Sequence, residues 1–391
     1  MKASIFPIVP MLACMCLSAS LVDGQGLTGP PTFSKDISPI LRKHCAVCHR
    51  PGALGPMSLM TYDETRVWAS QIKRRVASRE MPPWFADGAG EPFKNEDRLT
   101  TSEIETVVRW VDSGIPAGDA VAPNDQALEW MIVPDEIREA IQLPETDESY
   151  LSFRLPVGLP QEKWVQAIEI KFSEMPVVRQ VVLSAVPRGE SQAQGSTPAG
   201  TILEVLTAGV PLVRYEPGIG KRLPAGSDIV ARVLYSRNKA ATYKITVGIE
   251  WAKGERVKSV VTDALRNSTF KIPPGSTNTE VQAAVTLGEQ IEVISWRPFM
   301  LARGKTARYV AHYPDGRSET LLDVPAFDFR CPMLYELSRP KVLPKGTRLE
   351  FTATFDNSAA NRFIRGAARE IGAGDTISDE WMVGWYTFVR P

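Results

Sequence analysis

Apolar residues recur in two rhythms along the chain. Between residues 32 and 119 they return every three to four positions. Ile37, Ile40 and Leu41 fall on one face of a helix predicted over 34–45, with Pro39 tolerated near its start. A second helix is predicted from Thr61, where Glu64 three residues on completes a capping box; it runs through Trp68, Ile72 and Val76. A third opens on Thr100 and Glu103, carries Ile104, Val107, Val108 and Val111, and stops at Gly114. From residue 149 onward the period is two. Ile168, Ile170 and Phe172 alternate with Glu169 and Lys171, and similar alternation runs through Tyr243, Ile245, Val247, Ile249 and Trp251 and through Leu349, Phe351, Ala353 and Phe355. Short alternating strands between Gly/Pro turns predict β-sandwiches. The stretch 120–148 is polar and Pro-containing, and reads as a linker with one short helix near 135–141. Ile272-Pro273-Pro274-Gly275 reads as a joint between two lobes.

Composition narrows the class. A chain of 391 residues has room for two or three domains, and 43% hydrophobic content suffices for their cores. Lys+Arg and Asp+Glu both number 45, so bulk charge does not point to a nucleic-acid partner. The N-terminus has the form of an export signal: Lys2, an apolar run over 5–17, then small residues at Ser18-Ala19-Ser20 and Gly24. The run is too short for a transmembrane helix. Cleavage near residue 24 would remove Cys14 and Cys16 and deliver the chain to the periplasm. A lipid-modified Cys14 is the lesser alternative. Cys331 is expected to be a buried small apolar residue.

The most specific stretch is Cys45-Ala46-Val47-Cys48-His49, a C-x-x-C-H signal for c-type haem attachment. Two thiols one helical turn apart can reach two vinyl groups of one porphyrin edge, and His49 then lies beneath the ring as proximal iron ligand. A thioredoxin-like pair would follow a strand, whereas here a helix precedes the motif. A structural zinc needs four ligands, which the local sequence does not supply. Met81, in Arg79-Glu80-Met81-Pro82-Pro83-Trp84, sits on a loop stiffened by two prolines and is the expected distal iron ligand. Met57 and Met60 are its rivals. His44, directly before Cys45, is expected at the haem rim or in solvent.

The helix before the motif and the amphipathic helix that closes the segment resemble class I cytochromes c. A second resemblance covers most of the remainder. The stretches RLPAGSDIV, FKIPPGSTN, YPDGRSETLLDVPAFDF and LPKGTRLEFTATFDNS are similar to bacterial relatives of the copper type II, ascorbate-dependent monooxygenases, the group of the peptidylglycine and dopamine hydroxylases. GPMSLMTYDE and MPPWFAD resemble the cytochrome segment that precedes such β-regions. The resemblance implies two lobes, each with one copper held mainly by histidines. At the matching positions this chain has Arg179 and Gln180, then Leu234, then Phe299 and Leu301, with Trp381 at or beside the family's methionine and Met382 next to it. None of the replacements at the histidine positions offers an imidazole. His312 is expected at the surface.

The expected architecture is therefore α + β and multidomain: signal 1–24, a small all-α class I cytochrome c domain over 25–119, a linker over 120–148, and two all-β, jelly-roll-like sandwich lobes over 149–270 and 271–391. The expected cofactor is covalent haem c without copper. The expected role is one-electron transfer, with the lobes as a docking or assembly module and a redox donor or acceptor as partner, an active copper-bearing paralogue among the candidates. The competing readings are a monooxygenase with altered metal ligation, and a haem sensor or small-molecule binder that uses the cleft between the lobes.

Overall fold

The computed structural model describes residues 29–51, 55, 57–119, 134–142, 150–172, 178–190, 200–207, 210–235, 243–254, 257–364, 369–374 and 378–390. The expected export signal lies outside the described residues.

Among the described residues the helices all fall in the first part of the chain. A π turn, Phe33–Ile37, leads into α1, Ser38–His44. The helix expected from Thr61 is two: α2, Tyr62–Arg66, and α3, Ala69–Ala77. The break falls at Val67 and Trp68, both exposed, where β-branched and aromatic side chains favour helix least. Thr65, Ala69, Ile72 and Val76 still face inward, so the break leaves the buried face intact. The last helix is α4, Thr101–Asp112. Both expected capping boxes form, Thr61 with Glu64 and Thr100 with Glu103, and Gly114 ends α4 at φ 90°. Phe33, Ile37, Leu41, Ile72, Val76, Val107 and Trp110 make the core between these helices.

The rest is β-sheet. The first lobe contains β1 (Glu136–Gln142), β2 (Tyr150–Leu155), β3 (Lys163–Phe172), β4 (Val178–Pro187), β5 (Thr201–Thr207), β6 (Leu212–Arg214), β7 (Ile219–Leu223), β8 (Ser227–Tyr235) and β9 (Tyr243–Trp251). The second contains β10 (Lys258–Arg266), β11 (Lys271–Ile272), β12 (Thr279–Thr286), β13 (Ile291–Phe299), β14 (Gly304–His312), β15 (Ser318–Val324), β16 (Tyr335–Leu343), β17 (Arg348–Phe355), β18 (Ile371–Gly372) and β19 (Val383–Val389). Where a short helix was expected near 135–141, β1 pairs antiparallel with β9 along its whole length. Seven residues are too few to nucleate a helix cheaply, and a free sheet edge offers them a full ladder.

Each lobe is a sandwich. Sheet β2-β8-β4-β5 faces β1-β9-β3-β7 in the first, and sheet β12-β17-β14-β15 faces β10-β19-β13-β16 in the second. The two lobes share one sheet, because β10 pairs in parallel with β7 at Lys258 and Ser259. β10 falls within the expected first lobe, yet it runs antiparallel to β19 over Val260–Arg266 and so belongs to the second sandwich's sheet. The lobes therefore meet between β9 and β10. Ile272-Pro273-Pro274-Gly275 is a turn inside the second lobe, with Gly275 at φ 71°.

The helical segment is stitched to the second lobe. Phe93 bridges to Leu337, Lys94 N–H donates to the Glu336 carbonyl at 2.8 Å, and Ser338 N–H donates to the Pro92 carbonyl at 2.8 Å. Asn95 donates to the Leu334 carbonyl at 2.7 Å and accepts from Glu336 N–H at 2.9 Å. Trp84 and Phe93 enter the second core, and Trp84 meets Tyr335 edge-on at 5.2 Å. The loop after Met81 thus extends the free edge of β16.

Candidate haem site and the seam between the lobes

Cys45 caps the C-terminus of α1, and the chain turns tightly from there. Cys48 N–H donates to the Cys45 carbonyl at 3.1 Å and His49 N–H to the same oxygen at 2.8 Å. This single turn sets both thiols and the imidazole on one short arc. His49 Nδ1 lies 3.1 Å from the Met57 carbonyl, its only possible role there being donor, which leaves Nε2 as the free lone pair. Gly55 packs against the ring: a Cβ there would lie 2.6 Å from His49 Nδ1 and 2.7 Å from the Cys48 carbonyl. Only a glycine leaves space for the imidazole in this place.

Burial pushes the Cys45 thiol up to about 12, with the Asp97 charge adding to it. Burial pushes Cys48 up to about 11, partly offset by the Arg50 guanidinium. Both sulfurs are thus held as neutral thiols inside the fold. Burial also lowers the His49 pKa against the opposing pull of the Met57 carbonyl, which favours a neutral, ligating imidazole. Arg50 Nη1 is shielded from solvent and has no hydrogen-bond partner among the described residues. Two vinyl-reaching thiols, one free imidazole lone pair and an unanswered guanidinium beside them fit a c-type haem with its acidic propionates.

Met81 follows α3 through Arg79, at φ 56°, and its N–H donates to the Arg75 carbonyl at 3.2 Å. Its side chain is 39% exposed and so fills no core gap. Met57, by contrast, packs against the helical core, with its carbonyl behind the imidazole. His44, expected at the haem rim or in solvent, is not in solvent: it is buried. Its Nδ1 bonds the Asp97 carboxylate and its Nε2 lies 3.1 Å from Glu103 Oε1. Both ring nitrogens are engaged, so it ties α1 to α4 and leaves no lone pair for iron.

The positions matched to copper ligands come together at a different place. Leu234 on β8 and Phe299 on β13 are buried in one apolar cluster with Leu301, Val182, Val205, Val383 and Trp385, and Trp381 packs at its margin. Gln180 is also buried. The cluster lies between the outer face of β8-β4-β5 and the outer face of β13-β19, so it is the seam between the lobes. Strands with both faces buried lose their alternation, which is why β8 and β19 read as nearly continuous apolar runs. Met300 and Met382 point the other way, into the core of the second lobe. His312 sits on β14 at the surface, 2.9 Å from Ser318 Oγ. Arg179 stacks on Phe329 at 5.7 Å and Arg232 on Trp381 at 6.0 Å. Arginine on aromatic faces and aliphatic packing hold these positions.

A cleft of about 280 Å³ opens beside the seam, lined in part by Glu204, Tyr215, Arg297 and Glu336. Arg297 is buried, and its Nε and Nη1 have no hydrogen-bond partner among the described residues. Nearby Lys221, also buried, donates to Thr262 Oγ1 at 2.5 Å, and burial lowers its pKa to about 8.

Cys331, expected to be a buried small apolar residue, is only partly buried. Sequence spacing did not reveal Asp97 and Glu103 as partners of His44. They lie 53 and 59 positions from it, and no local motif carries them.

No family model matches the chain, and no curated protein matches it. Among solved structures it is similar to the major capsid protein P2 of bacteriophage PM2, at 10% identity and a TM-score of 0.30, over 66% of this chain and 98% of that chain. It is also similar to PBCV-1 VP54 fitted into a reconstruction of the virophage Sputnik, at 8% identity and a TM-score of 0.26, over 67% and 94% of the two chains. At such TM-scores neither likeness bears on function. No helix among the described residues is long and apolar enough to cross a membrane.

Proposed function

We propose that the protein is an exported electron-transfer cytochrome, with haem c attached to Cys45 and Cys48 and ligated by His49. The observation that carries this is the turn itself: two partly buried thiols and an imidazole whose Nδ1 is already engaged by the Met57 carbonyl, within five residues. When bound, the haem supplies one-electron redox chemistry. The chain's own contribution is to fix the His49 ring against Gly55, to exclude water around the thiols, and to offer the Arg50 guanidinium to a propionate. Met81 is the proposed distal ligand, on a loop tethered at one end to α3 and at the other by Trp84 in the second lobe's core. Met57 is disfavoured, because its carbonyl already holds His49 Nδ1 and its side chain packs against the helical core. The lobes serve as a rigid docking module, since their seam is filled by Leu234, Phe299 and Leu301.

The test is haem stain after denaturing electrophoresis of the matured protein. Stain should persist in wild type and vanish in Cys45→Ala/Cys48→Ala. Matured wild-type protein without covalent haem sinks the reading. For the distal ligand, the ferric protein should show the weak sulfur-to-iron charge-transfer band, and Met81→Ala should remove it.

A second reading is favoured by one observation, the Arg297 Nε and Nη1 atoms that have no hydrogen-bond partner among the described residues beside the cleft. On that reading the cleft binds a small carboxylate, and calorimetry with simple carboxylates should give heat that Arg297→Gln abolishes.

A further inference from the structure

The sheet shared by the two lobes carries a row of polar side chains on its seam face. Lys221 on β7 is buried, and its Nζ donates to Thr262 Oγ1 on β10 at 2.5 Å. Thr262 Oγ1 lies 2.8 Å from Thr387 Oγ1 on β19, and the two residues are directly paired across the strands. Thr387 is paired in turn with Ser295 on β13, and Arg297 lies two positions further along β13, on the same face. Thr387, Ser295 and Arg297 line the cleft of about 280 Å³ beside the seam, and Glu204 and Tyr215 line it from the first lobe.

The donor inventory fixes the direction of this row. An ammonium only donates, so Thr262 Oγ1 accepts from Lys221. The Thr262 proton then goes to Thr387 Oγ1, and the Thr387 proton is left for an acceptor in the cleft. A hydroxyl chain polarised by a buried cation donates more strongly than a lone hydroxyl. Beside it Arg297 is buried, and its Nε and Nη1 have no partner among the described residues. Glu204, the buried carboxylate here, is engaged elsewhere: Oε1 accepts from Val205 N–H at 2.9 Å and Oε2 from the Tyr215 hydroxyl. Burial lowers the Lys221 pKa to about 8, with Glu204 opposing the shift and Arg297 adding to it, so the ammonium is charged at neutral pH.

One side of the cleft therefore holds unanswered donors, with two buried cations against one carboxylate. The other charged lining residues, Glu216, Glu292 and Glu336 with Lys94, Arg214 and Lys258, balance in number. Lys94 Nζ lies 2.9 Å from Glu336 and 3.3 Å from Glu216, which ties these three together. Much of the remaining wall is apolar and includes Ile294, Leu334, Leu337 and Val389. Buried donors without acceptors and buried cations without a counter-ion both cost stability, and a bound carboxylate relieves both. We propose that this cleft takes a monocarboxylate with a short apolar tail, its carboxylate against Arg297 and the Thr387 hydroxyl and its tail along Ile294 and Leu337. This rests on the carboxylate reading of the cleft given above, and adds the ligand's class and its second anchor. Lys221 is a positioning residue that acts through Thr262 and Thr387.

The test is titration calorimetry on the full-length matured chain with acetate, butanoate, hexanoate and succinate. Each added methylene should tighten binding about threefold to fourfold. Succinate should bind more weakly than butanoate, because its second carboxylate meets the apolar wall. Thr387→Val should weaken butanoate about tenfold, and Thr387→Ser, which keeps the hydroxyl, should bind as wild type does. Lys221→Met should also weaken butanoate while keeping or raising the unfolding midpoint, since it removes a buried cation at similar side-chain length. That pairing separates loss of the site from loss of the fold. Ile294→Ser should flatten the chain-length series and leave acetate unchanged. Affinity that does not rise with chain length, succinate as tight as butanoate, or wild-type affinity in both Thr387→Val and Lys221→Met overturns this site and leaves a simple carboxylate cleft at Arg297 standing. A wild-type chain that binds none of the four acids overturns both.

Discussion

The haem-motif turn and the inter-lobe seam are the two places where the sequence resembles known cofactor sites, and they differ in how they are built. In the turn, Cys48 and His49 share the Cys45 carbonyl and the Met57 carbonyl holds the His49 ring. In the seam, the side chains at the histidine positions are packed, stacked or buried as apolar and cationic groups. The turn is assembled from neighbours in sequence, so each of its residues depends on the next. The seam is assembled from several strands, so its packing rests on residues far apart in sequence.

The largest expected effect breaks the turn. Gly55→Val should abolish stable haem incorporation, because even a Cβ meets the His49 ring at 2.6 Å and the Cys48 carbonyl at 2.7 Å. Haem stain and the Soret absorbance of purified protein would check this. Full incorporation in Gly55→Val would mean that His49 sits elsewhere in the holoprotein.

The next expectation tests the seam as chemistry. Wild-type protein dialysed against a chelator should retain no stoichiometric copper and show no ascorbate-driven hydroxylation. Arg179 and Arg232 bring positive charge to the first lobe's matched positions, which opposes a cation. Restoring a site should need at least Arg179→His, Gln180→His and Leu234→His together, and the buried imidazole at 234 should destabilise the fold before it binds metal. One or two tightly held coppers per wild-type chain would return the protein to the enzyme class, with Met300, Met382 and His312 the first residues to mutate.

The seam can also be tested as packing. Phe299 is fully buried against Trp381 at 5.8 Å and among Leu234 and Leu301. Phe299→Ala should cost about 3–5 kcal/mol in denaturant unfolding. Phe299→Leu, which keeps most of the volume, should cost about 1.5 kcal/mol or less. A loss below 1 kcal/mol for the alanine variant would mean that the seam is not a core and that the lobes move apart freely.

Much of this was legible in the residue order. Thr61 with Glu64 and Thr100 with Glu103 announced two helix starts, because a capping box is wholly local. Ile245, Val247 and Ile249 announced β9, because one of its faces looks into a core and the other does not. The seam was legible only as a list of substitutions, since no local rule says that Leu234 meets Phe299. Strand β1 was misread because an isolated seven-residue stretch carries no sign of the sheet edge that recruits it. The lobe boundary was misplaced because β10's partner is β19, more than a hundred residues later. Burial of His44 depends on Asp97 and Glu103, and the stitching of 84–95 to β16 depends on a free strand edge. Both are tertiary facts.

The smallest expected effect concerns the helical frame that holds the turn. Burial works against the Glu103 carboxylate, but hydrogen bonds from Thr100 and from His44 outweigh it and hold its pKa at about 2. For Glu64, bonds from Ser58 and Thr61 likewise outweigh burial and lower the pKa. Both groups bind protons more weakly folded than unfolded. Their contribution to stability is therefore present above the ordinary value of 4.5 and is lost as pH falls below it, for Glu103 through about 2. Acid unfolding followed by helical circular dichroism should show this loss, and Glu103→Gln should flatten it between pH 4.5 and 2. At neutral pH, Thr100→Ala should cost about 1 kcal/mol by removing the N-cap acceptor of α4. The apolar seam contains none of these carboxylates, so Phe299→Ala should lower stability equally across the same pH range. If Phe299→Ala instead shifted the acid midpoint as Glu103→Gln does, the helical segment and the seam would be unfolding as one unit, joined through Trp84 and the β16 edge.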